Sequence, residues 1–158
     1  MKPLETPPAA ANERARRQLA LEPDPDRLYG EIRELWKRHS IAEENRDLPG
    51  LISTLTDDCV YEIPAWGHRW EGHEGAAAFY KALLTAFPDI RFALTEIVIG
   101  PQGVCEEAVV SATHERDWLG VAATGRQLQF AVVIFFPWDG ARRLFQGERV
   151  HVVGLEAP

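Results

Sequence analysis

The sequence between residues 104 and 153 most constrains the fold, because it contains three long runs typical of β-strands. The runs span residues 104–116, 127–138 and 142–153, with two short glycine-containing turns predicted between them. The first run alone would extend about 43 Å at about 3.3 Å per residue, whereas a compact domain of this length has a radius of gyration of about 14 Å. The strands must therefore twist and bend, and we expect them to do so at bulges.

Amphipathic helices and shorter strands are predicted ahead of this region. Asp24-Pro25-Asp26 has the residues of a helix start. One face of the predicted helix, which extends to about Arg46, then carries residues at helical spacing: Leu28, Ile32, Leu35, His39 and Ala42. Asp47-Leu48-Pro49 begins a second helix that Asp57-Asp58 is expected to break. A third helix follows over residues 76–87, with strands at 59–63 and 90–99. Residues 64–75 are predicted to form a loop.

This order of elements predicts an α+β domain over residues 24–155. A curved antiparallel sheet would wrap around about three N-terminal helices, and incomplete cover of its concave face would leave one deep, cone-shaped pocket. Residues 1–23 are rich in Pro, Ala, Glu and Arg and show no sustained apolar period. They are predicted to be a mobile tail with a helical patch near residues 12–21.

Charge and composition exclude several classes of partner. The 158-residue chain has a net charge of −7, whereas nucleic acids and anionic membranes require a basic surface. No apolar run reaches the roughly 20 residues that cross a bilayer, and no secretory signal is recognisable at the N-terminus, so a cytoplasmic location is predicted. Cys59 and Cys105 are predicted to be buried, reduced thiols rather than a disulfide.

Four sequence pieces, in this order and spacing, resemble the SnoaL-like polyketide cyclase family of the NTF2-like superfamily, especially its ester-cyclase-type members. The pieces are Trp70-Glu71-Gly72-His73-Glu74-Gly75, Ala86-Phe87-Pro88-Asp89-Ile90, Ala112-Thr113-His114 through Thr124-Gly125-Arg126, and Gly147-Glu148-Arg149-Val150-His151-Val152-Val153. The resemblance implies the conical NTF2-like fold. It also implies cofactor-free chemistry, in which a base removes a proton next to a carbonyl and the pocket stabilises the enolate.

The last strand is where this chain departs from the family. The resemblance implies an acid/base Asp there, but that position falls on His151 or Val153. His151 is the best predicted acid/base, because an imidazole titrates near neutrality. Glu148 shares a face with Val150 and Val152, opposite to His151, if the strand is regular.

Glu148 and His114 are the other catalytic candidates. Glu148 is predicted either to face solvent or to be held by a cation such as Arg149, Arg143 or Arg126. His114 matches the family's histidine by position, and its role is either catalytic or structural.

The remaining candidates are predicted to bind substrate. Tryptophan side chains suit flat hydrophobic ligands, although core or dimer packing is nearly as good an explanation for them. The predicted wall and mouth of the pocket consist of Trp66, His68, Trp70, His73 and Trp118. Arg116 is predicted to orient or polarise the substrate together with His114 and Glu148, and Phe79 and Phe130 are also predicted to bind it. His68, His73, Glu71 and Glu62 match no metal-binding spacing, so no metal is predicted, and the resemblance implies that no cofactor is needed.

Two functions from different classes remain at this stage. The leading hypothesis is an enzyme that acts by proton transfer on a hydrophobic, polyketide-like or terpenoid carbonyl compound, in a cyclisation, isomerisation or related lyase or hydrolase step. The alternative is a non-catalytic small-molecule-binding or dimerisation module. In both cases a homodimer through the outer face of the sheet is predicted.

Overall fold

A computed structural model describes residues 25–155. It contains three helices: α1 (Pro25–Glu44), α2 (Leu48–Ile52) and α3 (Gly72–Ala86). The strands are β1 (Leu55–Ile63), β2 (His68–Glu71), β3 (Arg91–Gly100), β4 (Gly103–Thr113), β5 (Gln127–Asp139) and β6 (Leu144–Val153), with a 3-10 turn at Pro64–Trp66. The predicted tail, its helical patch and the Asp24 cap lie outside the described residues.

The strands form one curved, unclosed sheet in the order β2-β1-β6-β5-β4-β3. Neighbouring strands are antiparallel except β1 and β6, which pair in parallel. Register shifts interrupt the pairing between Leu55 and Val60, between Leu94 and Glu96, and between Phe135 and Trp138. These irregularities let long strands curve around a small core. The predicted α+β fold with three helices and a curved sheet is confirmed.

The helices cover the concave face of the sheet. α1 buries Ile32, Leu35, His39 and Ala42 at helical spacing, and α3 buries Phe79, Tyr80 and Leu83 in the same way. The strands supply alternate residues to the same core, and β4 buries every second side chain from Val104 to Ala112. None of the helices in residues 25–155 is long and apolar enough to cross a lipid bilayer.

Several predicted boundaries were wrong. Helix α1 ends at Glu44, and α2 ends at Ile52, well before Asp57 and Asp58. That acidic pair lies exposed within β1, where Arg142 pairs with both carboxylates at 2.8 and 2.7 Å, so the strand tolerates their charge. Helix α2 begins at Asp47-Leu48-Pro49 as predicted, and Asp47 caps it by accepting a hydrogen bond from the Gly50 amide at 3.0 Å.

Two predicted connections also differ from the structure. The segment 64–75 is not a continuous loop, because it contains the 3-10 turn, β2 and the first turn of α3. The connection from β4 to β5 is not a short turn, because it spans residues 114–126. Reciprocal hydrogen bonds tie its ends together, from His114 N to Arg126 O and from Gly125 N to His114 O.

Candidate active site

An inner cavity opens between the sheet, α3 and the end of α1. It encloses about 40 Å³ of free space, which corresponds to room for only a few water molecules. Its walls are apolar apart from two glutamates. The lining residues are Glu43, Ile63, Phe79, Leu83, Ile90, Phe92, Val110, Trp118, Phe130, Val132, Ile134, Glu148, Val150 and Val152.

Glu148 is the more buried of the two glutamates that line this cavity. Its side chain is 4% exposed, and its Oε1 accepts a hydrogen bond from the Tyr80 hydroxyl at 2.6 Å. The same oxygen lies 2.9 Å from Nε2 of His39, which is fully buried. Both contacts are to Oε1; the buried Tyr61 hydroxyl also lies near this carboxyl group, but it makes a well-formed hydrogen bond to no group among residues 25–155. The carboxyl group is therefore fixed through one oxygen, and the other remains available to a ligand in the cavity.

The hydrogen bonds of His39 determine where its protons reside. Thr54 donates its only hydroxyl proton to Leu51 O at 2.6 Å, so it must accept a proton from His39 Nδ1, also at 2.6 Å. Nδ1 therefore carries a proton, and Nε2 is the nitrogen that faces Oε1 of Glu148. The ring thus links the Thr54 hydroxyl to the buried carboxyl group.

Burial and mutual repulsion perturb two neighbouring carboxyl groups. Burial, then the Glu148 charge, raises the pKa of Glu106 to about 7, against the opposing hydrogen bond from Trp36. The pKa of Glu43 is also raised well above its ordinary value, by burial first and then by the charges of Glu148 and Glu106. Burial and the Glu148 charge likewise raise the pKa of Tyr80. Groups with perturbed pKa values that share a cleft are typical of functional sites.

An outer pocket adjoins the inner cavity. It has a volume of about 590 Å³, and Glu43, Ile90 and Phe92 line both spaces. Glu106 and Trp36 lie in its wall. A volume of this size is typical of small-molecule sites, so a ligand can occupy the outer pocket and insert one end into the inner cavity.

Four of the predicted site residues line the inner cavity: Glu148, Trp118, Phe79 and Phe130. Trp118 is 7% exposed and packs edge-on against Trp66 and Phe87, with ring centroids 5.7 and 5.2 Å apart. Glu148 shares the cavity face of β6 with Val150 and Val152, as the strand alternation predicted.

His151 is exposed and does not line the cavity. It lies one residue from Val150 and Val152, so the pleat of β6 turns it to the opposite face of the sheet. This position argues against the predicted role of His151 as the acid/base, because its imidazole cannot reach a ligand in the cavity.

His114 and Arg116 have structural surroundings. The His114 ring is buried and stacks on Phe87 at a centroid distance of 5.0 Å, outside the cavity lining. Arg116 is exposed, and its amide donates to Ala86 O at 3.3 Å. Both residues anchor the 114–126 connection to the end of α3, and neither meets Glu148.

The aromatic residues near β2 also lie away from the inner cavity. His68 stacks on Trp70 at 5.8 Å, and Trp70 packs edge-on against Phe79 at 5.0 Å. His73 is exposed, with its Nε2 3.2 Å from Leu55 O. Trp66 reaches the site only through its contact with Trp118. These side chains form an outer layer behind the cavity wall.

Within residues 25–155 no arginine pairs with Glu148, although the sequence suggested Arg149, Arg143 or Arg126. Arg149 pairs with Glu62 at 2.7 Å, and Arg143 pairs with Glu31, so both are occupied elsewhere. His39 and Tyr80 take that place instead. His39 is one of the residues predicted to form the buried face of α1. A histidine among the apolar residues of that face was the sequence feature that could have identified it as part of the site. Tyr80 gave no such signal, because it fits the core pattern of α3.

Other types of catalytic group are less well placed. Burial, then the Asp58 charge, raises the pKa of the Cys59 thiol to about 11, so it is a poor nucleophile at neutral pH. Cys59 and Cys105 are both free. Within the described range, no group of three or more His, Cys, Asp and Glu side chains is arranged to hold a metal ion.

Three helices on the concave face of an open, curved sheet, with a buried carboxyl group in the cavity between them, define an NTF2-like fold. The family profile for "SnoaL-like polyketide cyclase" matches residues 27–142, which is more than half of the chain. The protein therefore belongs to the SnoaL-like polyketide cyclase family.

Solved structures share this fold at low sequence identity. A protein of Jannaschia sp. CCS1, provisionally named a SnoaL-like polyketide cyclase, is 17% identical with a TM-score of 0.67, over 84% of this chain and 89% of that one. AclR of Streptomyces galilaeus, provisionally named a hydroxylase, is 20% identical with a TM-score of 0.63, over 78% and 89%. An LEH-like epoxide hydrolase of M. tuberculosis is 18% identical with a TM-score of 0.61, over 78% and 83%. No curated protein matches the chain.

Proposed function

We propose that the protein is an enzyme that transfers protons on a hydrophobic, carbonyl-containing small molecule, with Glu148 as the acid/base. One observation carries this proposal: a buried carboxyl group, held through Oε1 by Tyr80 and His39, lines an apolar cavity. A base fixed at the wall of a water-poor cavity suits removal of a proton next to a carbonyl. The step moves only a proton and needs no cofactor.

His39 and Tyr80 are proposed to position Glu148 rather than to touch the substrate. Tyr80 keeps one oxygen of the carboxyl group occupied, so the substrate meets the other. His39, which is anchored through Nδ1 to Thr54, lies against the same oxygen through Nε2 and so fixes the direction of the carboxyl group. Cyclisation and isomerisation both require this step, and the names of the family and of its structural neighbours are consistent with such chemistry.

The alternative is a non-catalytic binding or dimerisation module, which predicts a purely apolar or filled cavity. Two glutamates in the cavity wall favour the enzyme, because burying carboxyl groups costs stability without adding to the binding of an apolar ligand. The homodimer stays a prediction.

Exchange of α-protons in D₂O tests the proposal without knowledge of the product. Tetralones and decalones serve as enolisable hydrophobic ketones, and NMR follows the loss of their α-proton signals. Glu148→Gln is expected to lower the enzyme-dependent exchange rate by about 10²–10⁴-fold, whereas His151→Ala leaves it unchanged. Denaturation midpoints establish that both variants fold.

Two outcomes contradict the proposal. Exchange that survives in folded Glu148→Gln removes Glu148 from the mechanism. Absence of exchange by the wild-type protein with every ketone, although the ketones bind, supports the non-catalytic module.

A further inference from the structure

The outer pocket contains a second buried acid that the proposed proton transfer does not use. Glu106 lies on the concave face of β4 and is 8% exposed. Its Oε2 accepts a hydrogen bond from the Trp36 indole at 2.7 Å, and no group in residues 25–155 donates to Oε1. The free oxygen is not shut off in the core but faces the space of the outer pocket, where the donor group of a ligand can reach it.

The surroundings of Glu106 favour a positively charged donor. Glu43 lines the same pocket, and the charge of Glu148 also reaches Glu106. Arg46 lies nearby, but its guanidinium donates to the carbonyl oxygens of Ile90 and Pro88 at 2.9 and 3.4 Å. The Trp36 indole lies in the same pocket wall, and aromatic rings attract cations. Carboxylates beside an aromatic ring are a combination suited to an ammonium group.

We propose that the outer pocket binds the protonated amine of an amphipathic ligand, between Glu106, Glu43 and Trp36, with the apolar part of the ligand directed into the inner cavity. The inference deepens the proposed function by naming the polar end of its substrate. The binding itself needs no chemistry at Glu148, so the two proposals can fail separately.

Binding of an amine should depend on pH, because the cation prefers an ionised Glu106. With a pKa of about 7, this carboxyl group is largely protonated at pH 6, so amine binding there releases a proton. Affinity should rise between pH 6 and 8. Other charged groups line the pocket or act on Glu106 and must be counted in the analysis: Glu43, Glu44, Arg46, Asp89, Arg91 and Glu148.

Isothermal titration calorimetry with hexylamine, hexanol and hexanoate tests the inference. At pH 7.5 the ammonium is expected to bind about tenfold more tightly than the alcohol, because a charge-assisted hydrogen bond is stronger than a neutral one. Hexanoate should bind more weakly than either. Titrations in buffers of different ionisation enthalpy should show proton release with the amine at pH 6 and none with the alcohol.

Glu106→Gln should reduce amine affinity to that of the alcohol, while Glu107→Gln, an exposed carboxylate on the opposite face of β4, should change nothing. Glu148→Gln should lower α-proton exchange and still prefer the amine. Equal binding of hexylamine and hexanol, a preference that survives Glu106→Gln, or no binding of any of the three probes would overturn the inference.

Discussion

Replacing Glu106 by Gln should stabilise the protein above neutral pH and have little effect in acid. The folded protein retains a proton on this carboxyl group up to a pKa of about 7, against an ordinary value of 4.5. Between those values the folded state binds more protons than the unfolded chain, so the free energy of unfolding falls as pH rises. Gln removes this titration and keeps an acceptor for the Trp36 indole.

The magnitude follows from the two pKa values of Glu106. They differ by roughly 2.5 pH units, and each unit corresponds to about 1.4 kcal/mol, so the wild type should lose about 3 kcal/mol relative to Glu106→Gln between pH 4 and pH 8. Loss of the Glu106 charge also relieves Glu43, whose pKa this charge helps to raise. That relief adds to the difference in the same direction.

Urea denaturation at half-unit steps from pH 4 to pH 8.5 measures the effect, as the difference in unfolding free energy between variant and wild type. Glu107→Gln is the matched control, since Glu107 is exposed on the opposite face of β4, and it should stay within about 0.5 kcal/mol of wild type. Parallel pH profiles for wild type and Glu106→Gln would refute the reasoning, because they would show that Glu106 titrates alike in the folded and unfolded states.

Two further substitutions test the framework of the site. Tyr80→Phe removes the hydroxyl that donates to Glu148 at 2.6 Å, so it should lower the free energy of unfolding in urea by about 1–3 kcal/mol and also lower α-proton exchange. The control Tyr29→Phe on α1 should change neither quantity. Unchanged exchange in Tyr80→Phe would remove Tyr80 from the site. Gly147→Ala should cost more than about 3 kcal/mol, because its φ is 108° and a Cβ would lie 1.9 Å from Val60 O. A Cβ at Gly30 would have no atom within 4 Å, so Gly30→Ala should be neutral or should stabilise the fold by up to about 1 kcal/mol in the same assay. Similar denaturation midpoints for the two glycine variants would contradict this reasoning.

Local periodicity predicted the three helices and five of the six strands, and it missed β2, which is only four residues long (His68–Glu71). Alternation along β6 placed Glu148 with Val150 and Val152 and separated it from His151. The same reasoning could not select the catalytic candidate, because it ranked the residues by the usual pKa of an imidazole. The structure instead presents a carboxyl group to the cavity and turns that imidazole away from it.

The partners of Glu148 could not be found from spacing alone. His39 and Glu148 are 109 residues apart, and Tyr80 and Glu148 are 68 apart. Their meeting depends on how α1 and α3 dock onto the sheet and on the parallel pairing of β1 with β6. Neither leaves a periodic signal in the sequence. Glu106 was likewise hidden, because a glutamate on the buried face of a strand resembles a solvent-exposed one until its neighbours are known.

The position of β6 has a consequence for how the protein acquires its site during synthesis. This strand comes last among the described elements, yet it lies in the interior of the sheet, between β1 and β5. Until it inserts, β1 and β5 each have an unpaired edge, and His39 and Tyr80 have no carboxylate to bind. The contacts of β6 with β1, His39 and Tyr80 are distant in sequence and form slowly, whereas β6 follows β5 after a short turn. A nascent chain should therefore gain its helices and the meander that starts at β3 first. The docking of β6 against β1 would then join the two parts of the sheet and assemble the candidate site in one step.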